Sequence, residues 1–140
     1  EWKEFDDQVL ALAKITVDSL NIDLLSRISG KKINGDTIKG SLDLLEICLT
    51  VMKVEEKFRR TILHPLHAIQ TIRSAGVAHR KGSEFNDVLR RHEIDNMSNY
   101  ARVKKLVVDV TRALIAIADI VRRTYFKLGE ENRQGEKEGF

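Results

Sequence analysis

The chain has 140 residues, 42% hydrophobic and 32% charged, with a formal net charge of +3. That length suits one domain that buries roughly two-thirds of its unfolded surface, and the balance is too apolar for a disordered chain. The single cysteine, Cys48, excludes an internal disulfide, and no run approaches the ~18 apolar residues of a membrane span, so a cytoplasmic protein with no membrane partner is expected.

The pattern predicts an all-α fold, an antiparallel four-helix bundle with an extra short helix. A first helix is predicted over 2–28, where Phe5, Val9, Leu12, Thr16 and Leu20 follow three- and four-residue steps, widened by Val17, Leu24 and Leu25. Asn21 loosens it near the middle. Residues 29–41, "SGKKINGDTIKGS", hold three glycines and no period, and read as a loop. A second helix is predicted from an N-cap at Ser41, with Asp43 in its first turn, to about Leu63. Leu44, Cys48, Val51, Phe58 and Ile62 form one stripe of it, and Leu42, Leu45, Leu49 and Met52 another. Two stripes imply a central helix.

Pro65 predicts the first turn of a third helix, where its missing N–H costs nothing. Leu66, Ile69 and Ile72 would face the core, and Gly76 would bend or end the helix. A short helix is predicted over Glu84–Arg91. The last helix is predicted from Asn96 to Leu128, carried by Val103, Val107, Val110, Leu114, Ile117, Val121 and Leu128. Residues 129–140, "GEENRQGEKEGF", read as a charged flexible tail after a helical domain over 1–128. The chain opens on Glu1 rather than Met, which suggests a domain cut from a longer polypeptide.

Charge is unevenly spread. Residues 1–50 hold 6 Lys/Arg against 9 Asp/Glu, and residues 51–140 hold 18 against 12. Paired bases recur in the second part, among them Arg80-Lys81 and Arg90-Arg91, a pattern open to a polyanion partner or to plain solvated charge.

The stretch "IRSAGVAHRKG", 72–82, brings Arg73, Ser74, His79, Arg80 and Lys81 together at the end of a helical pattern. RNA cleavage without a metal needs a base for the 2′-hydroxyl proton and an acid for the leaving oxygen, roles that a histidine fills near neutral pH. It also needs a fixed cation for the charge growing on the phosphoryl group, which arginine supplies. On an unbroken helix Arg73 and His79 lie roughly 120° apart, so they converge only if the chain path changes or a second subunit contributes. From residue types alone, Arg73 as a surface base and His79 as a dipole-favoured helix end account better for the stretch.

The arrangement resembles the HEPN superfamily, an all-helical bundle bearing an Arg, four to six residues, then a His. Here the motif is Arg73, "SAGVA", His79, and the likeness in helix order covers residues 2–128. The resemblance implies a metal-independent endoribonuclease of a bacterial defence or toxin-type protein, acting as a homodimer with a composite site. Carried over, Arg73 would stabilise the scissile phosphate, His79 would be the general acid or base, and Ser74 a supporting polar contact. Arg80 and Lys81 match no required family position and are phosphate contacts on charge alone. A tyrosine that some toxin members carry after the histidine is absent. Many members are inactive, so the alternative is a non-catalytic dimerisation or RNA-binding module. Expected partners are a second copy, RNA and further domains of the same polypeptide.

No cofactor is expected. His64 and His67 sit three apart but lack a third ligand at a convincing spacing, so no metal site is expected either. His92, in "RRHEID", reads as solvated. Glu46, Glu55 and Glu56 are the carboxylates weighed as ion-pair partners for Arg73. Trp2 and Phe5 read as core or interface anchors.

Overall fold

A computed structural model describes residues 2–78 and 82–138. Among these residues the fold is all-helical, with α1 over Trp2–Ile15, α2 over Ile22–Ser29, α3 over Ser41–Val51, α4 over Glu56–Ala78, α5 over Ser83–Arg91 and α6 over Asn99–Glu138.

The predicted helix over 2–28 is two helices. In "ITVDSLN" the side chains of Thr16 and Ser19 bond to the carbonyls of Leu12 and Lys14, competing with the regular ladder. Asn21 then takes an extended backbone, and its Oδ1 accepts from the Leu24 N–H at 3.0 Å, so it starts α2 rather than loosening α1. α2 ends on Gly30 in the left-handed region, φ +67°.

The loop that follows is built on one side chain. Asn34 Oδ1 accepts from the backbone N–H groups of Asp36, Thr37 and Ile38 at 3.0–3.1 Å. Buried Ile38 pins this turn to the core. α3 is capped one residue earlier than expected. Gly40 is the N-cap, and Asp43 reaches back to the N–H groups of Lys39 and Gly40 at 2.7 and 3.3 Å.

The predicted helix over 41–63 stops at Val51. The Met52 N–H donates to Cys48 O, Lys53 turns left-handed at φ 61°, and the Val54 N–H returns to Leu49 O at 3.0 Å. That is a Schellman closure with lysine where glycine is usual. α5 ends the same way, with Glu93 at φ 58° and the Ile94 N–H returning to Leu89 O at 3.0 Å.

α4 therefore begins at Glu56, and Pro65 lies in its tenth position instead of opening a new helix. An interior proline costs about 3 kcal/mol. Ile62, Leu63, Leu66, Ile69 and Ile72 are all buried, and each contributes about 1.5–3 kcal/mol, so burial outweighs the break. Phe58, expected on the core stripe, is 46% exposed, because the Schellman turn changes the phase of the stripe.

α4 is the hub of the fold. It packs against α6, α1, α3 and α5, α1 also meets α6, and α2 touches α3 alone among the helices. Cys48 is buried as expected, its thiol donating to Leu25 O at 3.3 Å. Trp2 stands edge-on to both Phe5 and Phe85, with ring centroids 5.7 and 5.4 Å away. α5 over Ser83–Arg91 matches the expected short helix within one residue.

α6 differs at both ends from the expected 96–128. Ser98 caps its start, its Oγ accepting from the Ala101 N–H at 3.2 Å. The helix then continues through the first ten residues of the stretch read as a tail, whose Glu, Gln, Lys and Arg are strong helix formers. Its predicted stripe is one face that the rest of the fold covers unevenly. Val110 is buried with Leu106 and Ala113, while Val107, Leu114, Val121 and Leu128 are exposed. No helix among the described residues is long and apolar enough to cross a membrane.

Candidate functional site

Arg73 lies on the penultimate turn of α4 and is half-buried. Its Nη1 donates to Asp18 Oδ2 at 2.7 Å, across the gap between α4 and the turn after α1. None of Glu46, Glu55 and Glu56 fills that role. Asp18 was missed because it sits in the break at 16–21, which the continuous helix reading hid. Arg73 also lines a cavity of about 150 Å³ with Asp6, Asp7, Val9, Leu10 and Gly76. Asp18 pairs with the guanidinium, and Asp6 and Asp7 line the cavity that Arg73 shares.

Ser74 points elsewhere. Its Oγ donates to Gln70 O at 2.9 Å, and it lines a separate cavity of about 360 Å³ with Thr71, Glu84, Asp87 and Arg91. The structure therefore brings Arg73 to α1 and Ser74 to α5, and does not join them in one cleft. His79, Arg80 and Lys81 lie outside the described residues.

The remaining histidines are closer than the sequence suggests. The His64 and His92 rings stand 5.3 Å apart. His92 is half-buried, not solvated, and its Nδ1 is fully enclosed without a hydrogen-bond partner. Burial holds its pKa below the usual histidine value, and the nearby charges of His64, Arg91 and His67 push the same way. Sequence alone gives no hint of this, because residues 64 and 92 are distant in the chain. No group of three metal-ligating side chains occurs among the described residues.

A cavity of about 600 Å³ lies far from Arg73 along α4. Phe58, Thr61, His64 and Pro65 of α4 face Asp109, Arg112, Ala113 and Ala116 of α6 across it. A buried cation was also missed. Arg102 is 8% exposed, and its guanidinium donates to Ile94 O, Asp95 O and Asn99 Oδ1 at 2.7–2.8 Å. It also lies 5.3 Å from the centre of the Trp2 ring. Its work is to tie the α5–α6 connection to α1.

Comparison of the chain with models of known protein families, with curated proteins and with solved structures finds no match.

Proposed function

We propose that this chain is a HEPN-like, metal-independent endoribonuclease domain of a bacterial defence or toxin-type protein, acting in the cytoplasm as a homodimer with a composite active site. The observation that carries the reading is Arg73 six residues before His79, at the end of the hub helix of an all-helical fold. In this reading α1, α3, α4 and α6 make the antiparallel four-helix bundle. His79 moves the proton of the attacking 2′-hydroxyl or of the leaving 5′-oxygen, and Arg73 bears on the phosphoryl oxygens. Ser74 supports the backbone there, and Arg80 and Lys81 hold the strand by charge.

One observation favours the non-catalytic alternative, a dimerisation or RNA-binding module. Arg73 is already neutralised by Asp18, with Asp6 and Asp7 lining the same cavity. A phosphate reaching Arg73 must displace the Asp18 carboxylate.

The test is a gel assay on mixed single-stranded RNA in EDTA. The enzyme reading expects cleavage by the wild type and a loss of about 10²–10⁴ in rate for His79→Ala with unchanged helicity. It also expects Asp18→Asn to cleave at least as fast as wild type. Equal cleavage by wild type and His79→Ala overturns the assignment. Salt-sensitive binding without product, from a correctly folded protein, supports the binding module instead.

A further inference from the structure

The cavity between α4 and α6 has the make-up of a small-molecule site. Its volume of about 600 Å³ lies within the roughly 300–1,000 Å³ of ligand pockets. Its wall is mainly apolar. Ile62 and Ala113 are buried, Pro65 and Ala116 are half-buried, and Phe58 is 46% exposed. The small side chains of Ala113 and Ala116 make the room on the α6 side. An aromatic ring on such a wall is a surface that a second flat ring covers well.

The polar groups on the wall are engaged, with one exception. Arg60 pairs with Glu56 of its own helix. Asp109 pairs with Lys105 Nζ at 2.6 Å. The Thr61 hydroxyl donates to Lys57 O at 3.0 Å, and the His64 ring stands against that of His92. Arg112 is exposed and has no ion pair or side-chain hydrogen bond among the described residues. The wall thus carries one uncompensated positive charge, on a planar fork that matches a carboxylate. Pro65 adds an acceptor. In a regular helix the N–H of residue 65 donates to the carbonyl of residue 61. Proline has no N–H, so the Thr61 carbonyl lacks that donor, and both residues line the cavity. A backbone carbonyl without its helical partner favours any donor that reaches it.

We propose that this cavity binds a small aromatic monocarboxylate that carries one N–H or O–H on its ring. The carboxylate pairs with Arg112, the ring donor meets the Thr61 carbonyl, and the ring packs between Phe58 and Ala116. The match is one negative charge for one free cation. A phosphate ester would bring a second negative charge beside Asp109, with no cation left to meet it. An uncharged ligand would leave the Arg112 fork unused. The class is therefore set by three features of one wall: the free guanidinium, the carbonyl that Pro65 releases, and the apolar surface between them. The site precedes Arg73 along α4 by about 12–22 Å, counted from Pro65 and from Phe58. It shares no residue with the nuclease reading and stands whether or not His79 cleaves RNA.

The experiment is isothermal titration calorimetry of the 140-residue chain with three probes: indole-3-butyrate, its neutral amide and its N-methyl form. The wild type should bind the acid saturably with a Kd below about 1 mM, the range for a ligand of about 15 heavy atoms at ordinary efficiency. The amide should bind about tenfold more weakly, and Arg112→Gln should bring the acid down to the level of the amide. Ala116→Phe, which fills the cavity, should abolish binding with unchanged helicity. Pro65→Ala restores the missing N–H. It should raise the Tm and yet remove the roughly three- to tenfold preference of the wild type for the N–H probe over the N-methyl form. Absence of saturable binding by folded wild type up to about 5 mM overturns the proposal. So does equal binding of acid and amide, or binding indifferent to Arg112→Gln or to Ala116→Phe. Equal binding of the N–H and N-methyl probes by the wild type overturns the role of the Thr61 carbonyl. The RNA assay in EDTA is read independently of all these outcomes.

Discussion

Removing the Arg102 guanidinium while keeping its stem, as in Arg102→Met, should cost about 3 kcal/mol of stability. The structure gives the terms. Three bonds from a charged donor contribute about 1.5–3 kcal/mol each, and the Trp2 face adds about 1 kcal/mol. Against this stands the several-kcal/mol cost of enclosing a charge that is 8% exposed. The substitution recovers part of that cost but strands the carbonyl of Ile94, itself 1% exposed, and loosens that of Asp95. In a chain of this size about 3 kcal/mol corresponds to a fall of roughly 10 °C in Tm, read by circular dichroism at 222 nm. Arg102→Lys should recover less than half of the loss, because one ammonium cannot span three acceptors in a planar fork. If Arg102→Met unfolds within about 0.5 kcal/mol of wild type, the guanidinium does not hold the α5–α6 connection, and the enclosed charge merely offsets its own bonds.

Two further expectations concern His92 and the helix ends. The folded state holds the His92 pKa below the unfolded value of about 6.5, so the unfolded chain binds the extra proton first as pH falls. The stability that neutral His92 preserves is complete above about pH 6.5 and is lost as pH drops through that value towards the folded pKa; urea titrations at pH 7.5 and 5.5 should show this loss shrinking in His92→Gln. An equal acid loss in both proteins would refute the role of the enclosed ring. Lys53→Gly and Glu93→Gly, at two left-handed non-glycine positions, should each raise stability by about 0.5–1 kcal/mol, and a fall in chemical-denaturation midpoint for either would refute the strain argument.

The helical class, the loop before α3, α5 and the burial of Cys48 were all legible, because each rests on local period or punctuation. The ends of α3 and α4 were not. Lys53 turns the chain left-handed without the glycine that advertises such a stop, so the apolar pattern reads on to Leu63 and Pro65 reads as a beginning. Asn21 was noticed, but its role as a cap depends on the Leu24 N–H and shows only in three dimensions. At the candidate site, the Arg73 position was legible and its partner was not. Asp18 is 55 residues away, and the acidic pocket arises from packing α1 beside α4. The exposure of Val107, Leu114, Val121 and Leu128 was hidden for a different reason. Val121 and Leu128 stand five turns after Val103 and Val110 on the same side of α6, and a 3.6-residue repeat does not show where along a helix its covering neighbours end.

The attachment of α2 to α3 alone makes Cys48 a natural reporter on the edge of the domain. Its thiol is sealed under the Leu25 carbonyl, and burial raises its pKa, so it is inert while α2 stays docked. A thiol-reactive dye at low denaturant would therefore label the chain only during excursions in which α2 lifts away. Because α4 ties to α1, α3, α5 and α6 but not to α2, such excursions leave the hub intact. The labelling rate, compared with that of the unfolded chain, meters the free energy of undocking one helix separately from that of global unfolding. The chain thus carries its own probe for whether its periphery and its hub melt as one cooperative unit or as two.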